Sequence, residues 1–544
     1  AASLAQDRLP PFPTRRPPTP PHTRPRSAEG MLTTVARSSL ALNSRRVAGA
    51  RKGVGGHAAC AGPRALLTAA RRARASEDIG APGVGGAPHS IVSCTHVNSG
   101  RQFVLQFADQ TRYQLHTAWL KDASPSNVGA DFYRTSAQDV ARLHRFRIAE
   151  AAPEEGGEQL AVHFEESATD GARSRREVFC AKWLHSFAPF VGKPLDAETS
   201  KRSSTVEGTG AILDHLRRQR KPFFHDLQLP QFDATLLESD LDTQVAFIEA
   251  MEVTGVAMIT GVAPPKSLER EVVGMPMEDV VFNAIGKTNQ HPRRSTRYGV
   301  MRKTAESAKQ GADYDMANPL SMHTDHSVYE GTPGYYQFLY QAEGSVRSKV
   351  CDGLALTSYF RDHHPGWYEL LTKVDITHSS RNELYTKDGA PRDVNDRSSR
   401  GAPFELVHTH PIIQLGRDGL LEKVVQSETK RGACALPYDV YEPFMEAYKT
   451  WNQLCEDPRF IHHFDWPEGC IVATNNWRTL HGRASVPPGM ARTMCFSYVN
   501  KTLVENRYRL LKQSQVERDN PVLSTPWLTR VPNQVLERMT FDAA

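Results

Sequence analysis

Three side chains of metal-binding types occur in two short stretches that are far apart in the chain. The first stretch is SMHTD, in which His323 and Asp325 are two residues apart and would project from the same side of an extended strand. The second stretch is NNWRTLHGR, which places His481 shortly after a strand-like run, at the exit of that predicted strand. Two imidazoles and one carboxylate on one face of an octahedral ion leave three positions open, and non-haem Fe(II) needs such positions for a chelating cosubstrate and dioxygen.

A cation eleven residues after the second histidine supports this interpretation. Arg492 lies within the otherwise apolar stretch GMARTMCFSYV. A dicarboxylate that chelates iron through one end leaves its other carboxylate in need of a fork-shaped partner, which a guanidinium provides. The motif His-x-Asp is weak evidence by itself, because residues of these types often recur by chance. The prediction of an iron site therefore depends on both histidines, the aspartate and Arg492 taken together. Other histidines, including His363, His408 and His410, are assigned structural roles.

Composition narrows the class of protein. The 544 residues are 39% hydrophobic and 23% charged, and no run of about 18 apolar residues occurs, so a membrane-spanning helix is not predicted. Residues 1–75 contain fourteen Lys and Arg against two acids, which leaves a formal charge of −7 on the rest. That charge argues against general attraction for nucleic acid. The eight cysteines form no CxxC pair, which favours free thiols in a reducing compartment.

The amino-terminal 85 residues are predicted to be a disordered leader. Residues 1–30 are rich in proline, and residues 31–76 contain Arg, Ser and Ala but no acid, which is typical of an organelle transit peptide. Met31 is a candidate for the true start. The abundance of arginine favours a mitochondrion over a chloroplast, and a basic tail on a cytoplasmic protein is the alternative.

Two folded units are expected after the leader. Residues 88–195 contain short alternating runs, among them RQFVLQFADQTRYQLHTAWL and EVFCAKWLHSF, that predict the strands of a small β-rich domain. A linker rich in Lys, Ser and Thr is expected near 193–208. Residues 210–530 mix helical patterns with strand-like runs such as GVAMITGV and GCIVATNN, which predicts a β core decorated with helices.

Several motifs in this second unit resemble a known enzyme family, and they are MHTD, PGYYQFLY, VCDGLAL, ALPYDVYEPFMEAYKTW, NNWRTLHGRASV and ARTMCFSYVNKTLVENRYRLL. They resemble the trimethyllysine dioxygenase and γ-butyrobetaine dioxygenase family of Fe(II)/2-oxoglutarate oxygenases, which are taurine dioxygenase-like, over roughly 210–515. The resemblance implies a mainly β fold with helices, namely a double-stranded β-helix (jelly-roll) core preceded by a small β-rich domain. It also implies hydroxylation of an unactivated carbon in a small amino-acid or betaine-like substrate, as in carnitine biosynthesis, with O2 consumed and ascorbate as reductant.

The resemblance assigns roles to individual residues. His323, Asp325 and His481 correspond to the iron ligands, and Arg492 corresponds to the residue that binds the distal carboxylate of 2-oxoglutarate. Ser348 is a second candidate for that carboxylate, although the Gly-Gly-acid-Ser/Thr stretch of the family is Ser-Val-Arg-Ser here.

The family's small domain binds zinc through cysteines that this chain lacks. Ser124, Ser126 and approximately Gly129 stand at the corresponding places. A hydroxyl is a poor ligand for zinc compared with a thiolate, so no structural zinc is expected.

Substrate recognition differs from the family pattern. Tyr298 and Tyr498 match positions of an aromatic cage for a trimethylammonium group, and Tyr314 is near a third. The tryptophan of the family's YGxxW motif is Arg302 here. At about 5 Å and an effective dielectric constant near 20, that cation would repel a quaternary ammonium by a few kcal/mol. Gln426-Ser427 replaces an Asn pair near the substrate carboxylate.

Several alternatives therefore remain open. The chain could be an oxygenase of the same fold with a different, anionic substrate, or a catalytically silent iron- or ligand-binding homologue. A zinc hydrolase that uses the same histidines and aspartate is a third alternative, but it gives Arg492 no evident role. A two-module interaction scaffold is a fourth. A homodimer is an additional expectation that the residues do not decide.

Overall fold

The computed structural model of the chain describes residues 87–127, 143–166, 175–203, 212–268, 275–285, 298–303, 318–331, 334–380, 393, 405–487, 490–523, 525–528 and 531–541. All of them belong to one compact unit, residues 83–544. The leader predicted over 1–85 lies outside this part of the chain, and the division into 88–195 and 210–530 stays a prediction. In the described helices, no segment combines the length and the apolar character that crossing a membrane requires.

The elements of the described segments are given in chain order. The strands are β1 (Ile91–Val97), β2 (Gln102–Phe107), β3 (Arg112–His116), β4 (Phe146–Glu154), β5 (Gln159–Glu166), β6 (Arg175–Cys180), β7 (Lys193–Pro194), β8 (Gln231–Asp233), β9 (Val256–Thr260), β10 (Tyr298–Lys303), β11 (Leu320–His323), β12 (Tyr336–Glu343), β13 (Val346–Asp352), β14 (Ile376–Ser380), β15 (Leu406–His410), β16 (Ile413–Leu415), β17 (Leu421–Val424), β18 (Ile461–Trp466), β19 (Ile471–Asn475), β20 (Thr479–Arg483) and β21 (Arg492–Val499). The helices are α1 (Thr117–Asp122), α2 (Ala181–Val191), α3 (Ala197–Ser203), α4 (Asp214–Arg218), α5 (Ala234–Ser239), α6 (Leu241–Val253), α7 (Met275–Ile285), α8 (Gly353–His363), α9 (Pro365–Lys373), α10 (Tyr438–Cys455), α11 (Lys501–Asp519), α12 (Thr525–Leu528) and α13 (Asn533–Phe541).

The amino-terminal residues form two small antiparallel sheets, in the orders β1-β2-β3-β7 and β4-β5-β6. Alternation in the sequence explains them. In β2 the side chains of Phe103, Leu105 and Phe107 are fully buried, whereas those between them are partly exposed. A strand whose apolar residues recur every second position buries one face and leaves the other in contact with water.

Three local predictions for this region are wrong. HTAWL and AKWLHSF are assigned above to strands. HTAWL instead passes from the end of β3 into α1, and AKWLHSF forms the first part of α2. The expected linker near 193–208 begins with β7 and α3. The aromatic residues pack across the two helices: the rings of Trp119 and Trp183 stack at 5.8 Å, and Trp183 and Phe187 are 4.6 Å apart one turn along α2. This tertiary packing overrides the preference of aromatic residues for strands.

The serines at the places of the family's zinc cysteines belong to a hydrogen-bonded network. The Ser124 hydroxyl donates to the carboxylate of Glu177 and lies 2.9 Å from the Ser126 hydroxyl. Glu177 also accepts from the ammonium group of Lys121, and both of these charged side chains are buried. A buried charge requires such partners, since an unpaired one is costly to remove from water. Gly129 lies outside the described residues.

The larger part is a double-stranded β-helix, which confirms the predicted fold. One sheet has the order β10-β21-β12-β19-β9-β8 and the facing sheet has the order β11-β20-β13-β18. From β10 to β13 the chain alternates between the two sheets, and it does so again from β18 to β21. Neighbouring strands are antiparallel except β8 and β9.

Strand β12 shows how the sequence separates the helix-packed core from the space between the sheets. Tyr336, Phe338 and Tyr340 are fully buried in the core that also contains residues of α6 and α11. Gln337 and Leu339 alternate with them and line a cavity between the two sheets. Because successive side chains of a strand point to opposite faces, one continuous hydrophobic run supplies both surfaces.

Candidate metal centre

Strand pairing brings the two distant histidines together. His323 is the last residue of β11 and lies directly opposite His481 of β20, with ring centroids 4.3 Å apart. His481 is inside β20, so the prediction that it lies at a strand exit is wrong. Asp325 lies in the turn just after β11 rather than on the strand. These three residues form the cluster of potential metal ligands in the described segments, with one ligand atom of each within 4.8 Å of the others.

Hydrogen bonds orient the two imidazoles. The Nδ1–H of His323 donates to the carbonyl oxygen of Ser321 at 2.8 Å, so its Nε2 lone pair faces Asp325 Oδ1, 3.6 Å away. His481 Nε2 lies 3.7 Å from Asp325 Oδ2. Burial lowers the pKa of His481 to about 3 and the pKa of His323 below its usual value. Both rings are therefore neutral near pH 7, which is the form that binds a metal ion.

The Asp325 carboxylate is ionised and firmly positioned. Its backbone N–H donates to Asn476 Oδ1 at 2.8 Å, and the amide of Asn476 donates back to its carbonyl oxygen at 3.0 Å. Asp325 Oδ2 accepts hydrogen bonds from Tyr498 at 2.6 Å and from the Gln337 amide. Burial by itself would raise the pKa of Asp325, but attraction to His481 and His323 lowers it well below the usual value. Oδ1 faces His323, whereas Oδ2 faces His481.

The three side chains lie in a cavity of about 210 Å³ between the sheets. Its wall combines apolar with cationic side chains. The lining residues are Leu320, His323, Asp325, Gln337, Leu339, Ser348, Lys349, Val350, Phe464, Trp466, Val472, Thr474, His481, Gly482, Arg483, Arg492, Met494, Phe496 and Tyr498. Five residues predicted from the sequence as iron or 2-oxoglutarate ligands therefore share one cavity: His323, Asp325, Ser348, His481 and Arg492.

Arg492 is buried in this cavity without a carboxylate partner among the described residues. Its Nε donates to Gln341 Oε1 at 3.2 Å, and its guanidinium lies over the ring of Trp466 at 5.4 Å. Burial, together with repulsion from Arg483, lowers the pKa of Arg492 to about 10. A buried guanidinium that has no carboxylate partner favours the binding of an anionic ligand. The Ser348 hydroxyl donates to the Val346 carbonyl at 3.3 Å and faces the same cavity.

Two residues of the cavity were not singled out from the sequence. Gln337 is the one amide in the hydrophobic run YYQFLY, and that isolated polar residue was the available signal. Its Nε2 lies 3.4 Å from His481 Nε2, and its Oε1 accepts from Thr474 at 3.0 Å. Arg483 follows His481 by two residues, so alternation places it on the same face of β20.

The predicted substrate residues are only partly described. Tyr498 lines the cavity, yet its hydroxyl is bonded to Asp325. The backbones of Tyr298 and Arg302 lie on β10, opposite Ser497 and Thr493, but their side chains are outside what the structure describes. Tyr314 is outside it entirely.

Gln426, which with Ser427 replaces the family's Asn pair, has its side chain directed toward α10. Its amide oxygen accepts from the indole of Trp451 and its amide nitrogen donates to Asn452, both in α10. The side chain is almost fully buried in that contact. The polar atoms of Gln426 are therefore used by α10, and Gln426 is not among the residues that line the cavity.

Removal of the Tyr498 hydroxyl should weaken metal binding. Tyr498→Phe loses the hydrogen bond that orients the Asp325 carboxylate, and outer partners of this kind contribute about 10–100-fold in metal affinity. The measurement is an anaerobic Fe(II) titration. Tyr340→Phe is the control, since its hydroxyl contacts the Ala263 carbonyl on the other side of the sheet. Equal affinities for both variants would contradict the role given to Tyr498.

Comparison with known proteins supports the family resemblance. Gamma-butyrobetaine dioxygenase of Homo sapiens is 24% identical over 316 residues, which cover 56% of this chain and 73% of the relative. Gamma-butyrobetaine dioxygenase of a Pseudomonas species is 23% identical over 302 residues, 55% of this chain and 70% of the relative. The mitochondrial trimethyllysine dioxygenase of Bos taurus is 25% identical over 220 residues, 40% of this chain and 49% of the relative.

Solved structures with detectable similarity are more distant. The non-heme iron oxygenase OrfP in complex with Fe and alpha-ketoglutaric acid is 13% identical, with a TM-score of 0.33, and the match covers 50% of this chain and 94% of that one. A taurine dioxygenase from Burkholderia xenovorans is 14% identical, with a TM-score of 0.31, and covers 48% and 84%.

The family assignment follows from a match between this chain and the sequence model of a protein family. The sequence model of the family described as "Taurine catabolism dioxygenase TauD, TfdA family" matches residues 217–498. That range includes the strands of the β-helix, except the last residue of β21, and every residue of the candidate metal centre. Because the match covers more than half of the chain, the protein belongs to the TauD/TfdA family and is a 2-oxoglutarate-dependent dioxygenase of the hydroxylase type.

Proposed function

We propose that His323, Asp325 and His481 bind iron(II), that Arg492 and Ser348 bind the distal carboxylate of 2-oxoglutarate, and that the enzyme hydroxylates an aliphatic carbon of a small amino-acid or betaine-like substrate. One observation carries the proposal. A single cavity contains two neutral imidazoles beside one ionised carboxylate, and also a buried guanidinium without a carboxylate partner in the described residues. This donor set fits iron(II), since it leaves room for a chelating cosubstrate and dioxygen.

The residues of the chain have distinct tasks in this reaction. Bound iron(II) supplies dioxygen activation, by which 2-oxoglutarate and O2 become succinate and CO2 while the second oxygen atom enters the substrate. His323, His481 and Asp325 hold the metal on one face. Arg492 orients the cosubstrate, and the apolar lining, including Leu339 and Phe496, excludes water from the reacting centre. No side chain is required as a general base.

The relatives support the substrate class. The names of the matched relatives are gamma-butyrobetaine dioxygenase and trimethyllysine dioxygenase, and both substrates are small amino-acid derivatives or betaines. We infer that the substrate here has similar size and that the enzyme acts in carnitine biosynthesis or a parallel pathway. Ascorbate is proposed as the reductant that keeps iron in the ferrous state.

The direct test is succinate formation by the purified chain. Fe(II), ascorbate and 2-oxoglutarate are supplied with each of γ-butyrobetaine, trimethyllysine and uncharged analogues, and succinate and hydroxylated product are measured by mass spectrometry. Substrate-stimulated succinate that a chelator abolishes is the expected result. Stoichiometric Fe(II) binding without turnover of any substrate would instead support a catalytically silent homologue.

Arg492→Met is expected to raise the KM for 2-oxoglutarate by about tenfold or more, because a charge-assisted hydrogen bond contributes about 1.5–3 kcal/mol. Arg492→Lys should restore part of the loss, since it keeps the charge without the fork. Arg347→Met is a matched control, because Arg347 is the exposed neighbour of Ser348 on β13. An unchanged KM in Arg492→Met would remove Arg492 from the cosubstrate site.

We also propose a mitochondrial location for the enzyme. The acid-free, arginine-rich segment 31–76 and the name of the bovine relative support it. Fusion of residues 1–85 to a fluorescent protein tests the idea, and diffuse fluorescence in the cytoplasm would contradict it.

A further inference from the structure

The guanidinium of Arg492 is held in place by two neighbouring side chains. Its Nε–H donates to Gln341 Oε1 at 3.2 Å, and its central carbon lies 5.4 Å from the centre of the Trp466 ring. Among the described residues, neither Nη atom has a hydrogen-bond partner. Because a guanidinium has five N–H groups, the four on the Nη atoms remain for a ligand in the cavity that Arg492 lines.

The amide of Gln341 is fixed in the orientation that makes this contact. Its Nε2 donates to the backbone carbonyl oxygens of Glu343 and, at 3.4 Å, of Thr493. Carbonyl oxygens only accept hydrogen bonds, so an exchange of the amide oxygen and nitrogen would leave both carbonyls facing an oxygen. The side chain is fully buried in β12, where water cannot replace the lost partners. Oε1 is therefore directed at Arg492 by the fold.

The indole of Trp466 is fixed by a hydrogen bond of its own. Its Nε1–H donates to the Cys470 carbonyl oxygen at 3.1 Å, and the residue is buried. The face of such a ring attracts a cation. Since Gln341 restrains Nε and Trp466 restrains the central carbon, the guanidinium of Arg492 has little freedom to follow a ligand.

We infer that Gln341 is a positioning residue that determines, through Arg492, the length of the oxo acid that this enzyme accepts as cosubstrate. The inference rests on the proposed function, since it concerns how Arg492 binds the distal carboxylate of 2-oxoglutarate. A restrained cation binds a carboxylate best at one distance from the metal centre. 2-Oxoadipate is one methylene longer, so its distal carboxylate requires a guanidinium that can retreat, and the contacts of Gln341 and Trp466 oppose that movement.

The test compares 2-oxoglutarate with 2-oxoadipate by anaerobic calorimetric titration into the full chain loaded with Fe(II). Gln341→Met removes the acceptor of the Arg492 Nε–H and keeps a side chain of similar length. We expect 2-oxoglutarate to bind about fivefold more weakly, because one net hydrogen bond is lost. The affinity for 2-oxoadipate should change by less than about twofold, because the released guanidinium adapts to it. Gln341→Asn, whose amide is one methylene shorter, should show the same difference and decides the matter if Gln341→Met does not fold.

A second buried glutamine provides the matched control. Gln244 of α6 donates through Nε2 to the Leu237 carbonyl oxygen at 2.7 Å, and its Oε1 accepts from Arg507 of α11. Gln244→Met therefore loses the same kinds of contact, but Gln244 does not line the cavity. Both oxo acids should bind to Gln244→Met as they bind to the unmodified chain.

A double variant separates positioning from a general structural effect. If Gln341 acts through Arg492, the addition of Gln341→Met to Arg492→Met should change 2-oxoglutarate affinity by less than about twofold. The inference is overturned by a loss in the single variant no larger than that in Gln244→Met, by an equal loss for both acids, or by a loss that persists in the double variant. Unchanged 2-oxoglutarate affinity in Arg492→Met, or no binding by the unmodified chain, would show instead that the proposed function is wrong, and the inference would fall with it.

Discussion

Replacement of His323 by alanine is expected to abolish Fe(II) binding and 2-oxoglutarate turnover while the fold is retained. The loss of a partner that merely orients a ligand costs about 10–100-fold in metal affinity, so the loss of one of three ligands costs about a hundredfold or more. Because His323 is neutral in the folded chain, its removal leaves no unpaired charge. The measurements are an anaerobic Fe(II) titration, succinate formation and the thermal midpoint of unfolding.

A second histidine provides the control for this experiment. His363 is exposed at the end of α8, where its ring bonds to the Tyr359 carbonyl at 3.0 Å. His363→Ala should bind Fe(II) and form succinate as the unmodified chain does. If His323→Ala retained Fe(II) affinity and succinate formation, the assignment of the metal centre would be wrong, because two side chains would then suffice.

Replacement of Arg478 by methionine is expected to lower the free energy of unfolding by about 3–5 kcal/mol. Arg478 is fully buried in the turn between β19 and β20. Its Nε and Nη2 donate to the two oxygens of Asp352 at 2.9 and 2.8 Å, and its Nη1 donates to the Val253 carbonyl at 2.8 Å. Methionine would leave the Asp352 carboxylate charged and buried without its cationic partner.

Urea or thermal unfolding measures this loss, and an exposed pair calibrates it. Arg459 contacts Asp457 at 2.8 Å with most of its side chain in water, and such pairs contribute about 0–1 kcal/mol. Arg459→Met should therefore change stability little. A loss below about 1 kcal/mol in Arg478→Met would show that the Asp352 carboxylate finds other compensation, for instance by protonation.

The candidate site illustrates what local sequence can predict. The pair His323 and Asp325, the distant His481 and the cation Arg492 were recognised because their residue types suit one chemistry. The run YYQFLY was recognised as part of a family motif, but the role of its Gln337 was not. Its contact with Asp325 depends on where β12 lies relative to β11, and nothing within either strand states that relation.

The amino-terminal region illustrates the opposite case. AKWLHSF has aromatic residues that favour a strand by themselves, yet it forms α2 because Trp183 packs against Trp119 and against Trp527 of the distant α12. Helical spacing lets one face bury these rings together. Local propensity could not reveal this, since the deciding contacts come from residues far away in the chain.

The sequence by itself determined the chemistry available to this protein, namely the types of the metal ligands and the cation Arg492 proposed to bind 2-oxoglutarate. It also determined the alternation by which one face of β12 packs in the core and the other lines the cavity. The tertiary structure decided which of these groups meet: the pairing of His323 with His481, the hydrogen bond from Tyr498 to Asp325, and the side chain of Gln426 turned toward α10. The physical reason is that residue type and period are local properties. Strand register and the satisfaction of buried polar groups, in contrast, are set by the whole chain at once.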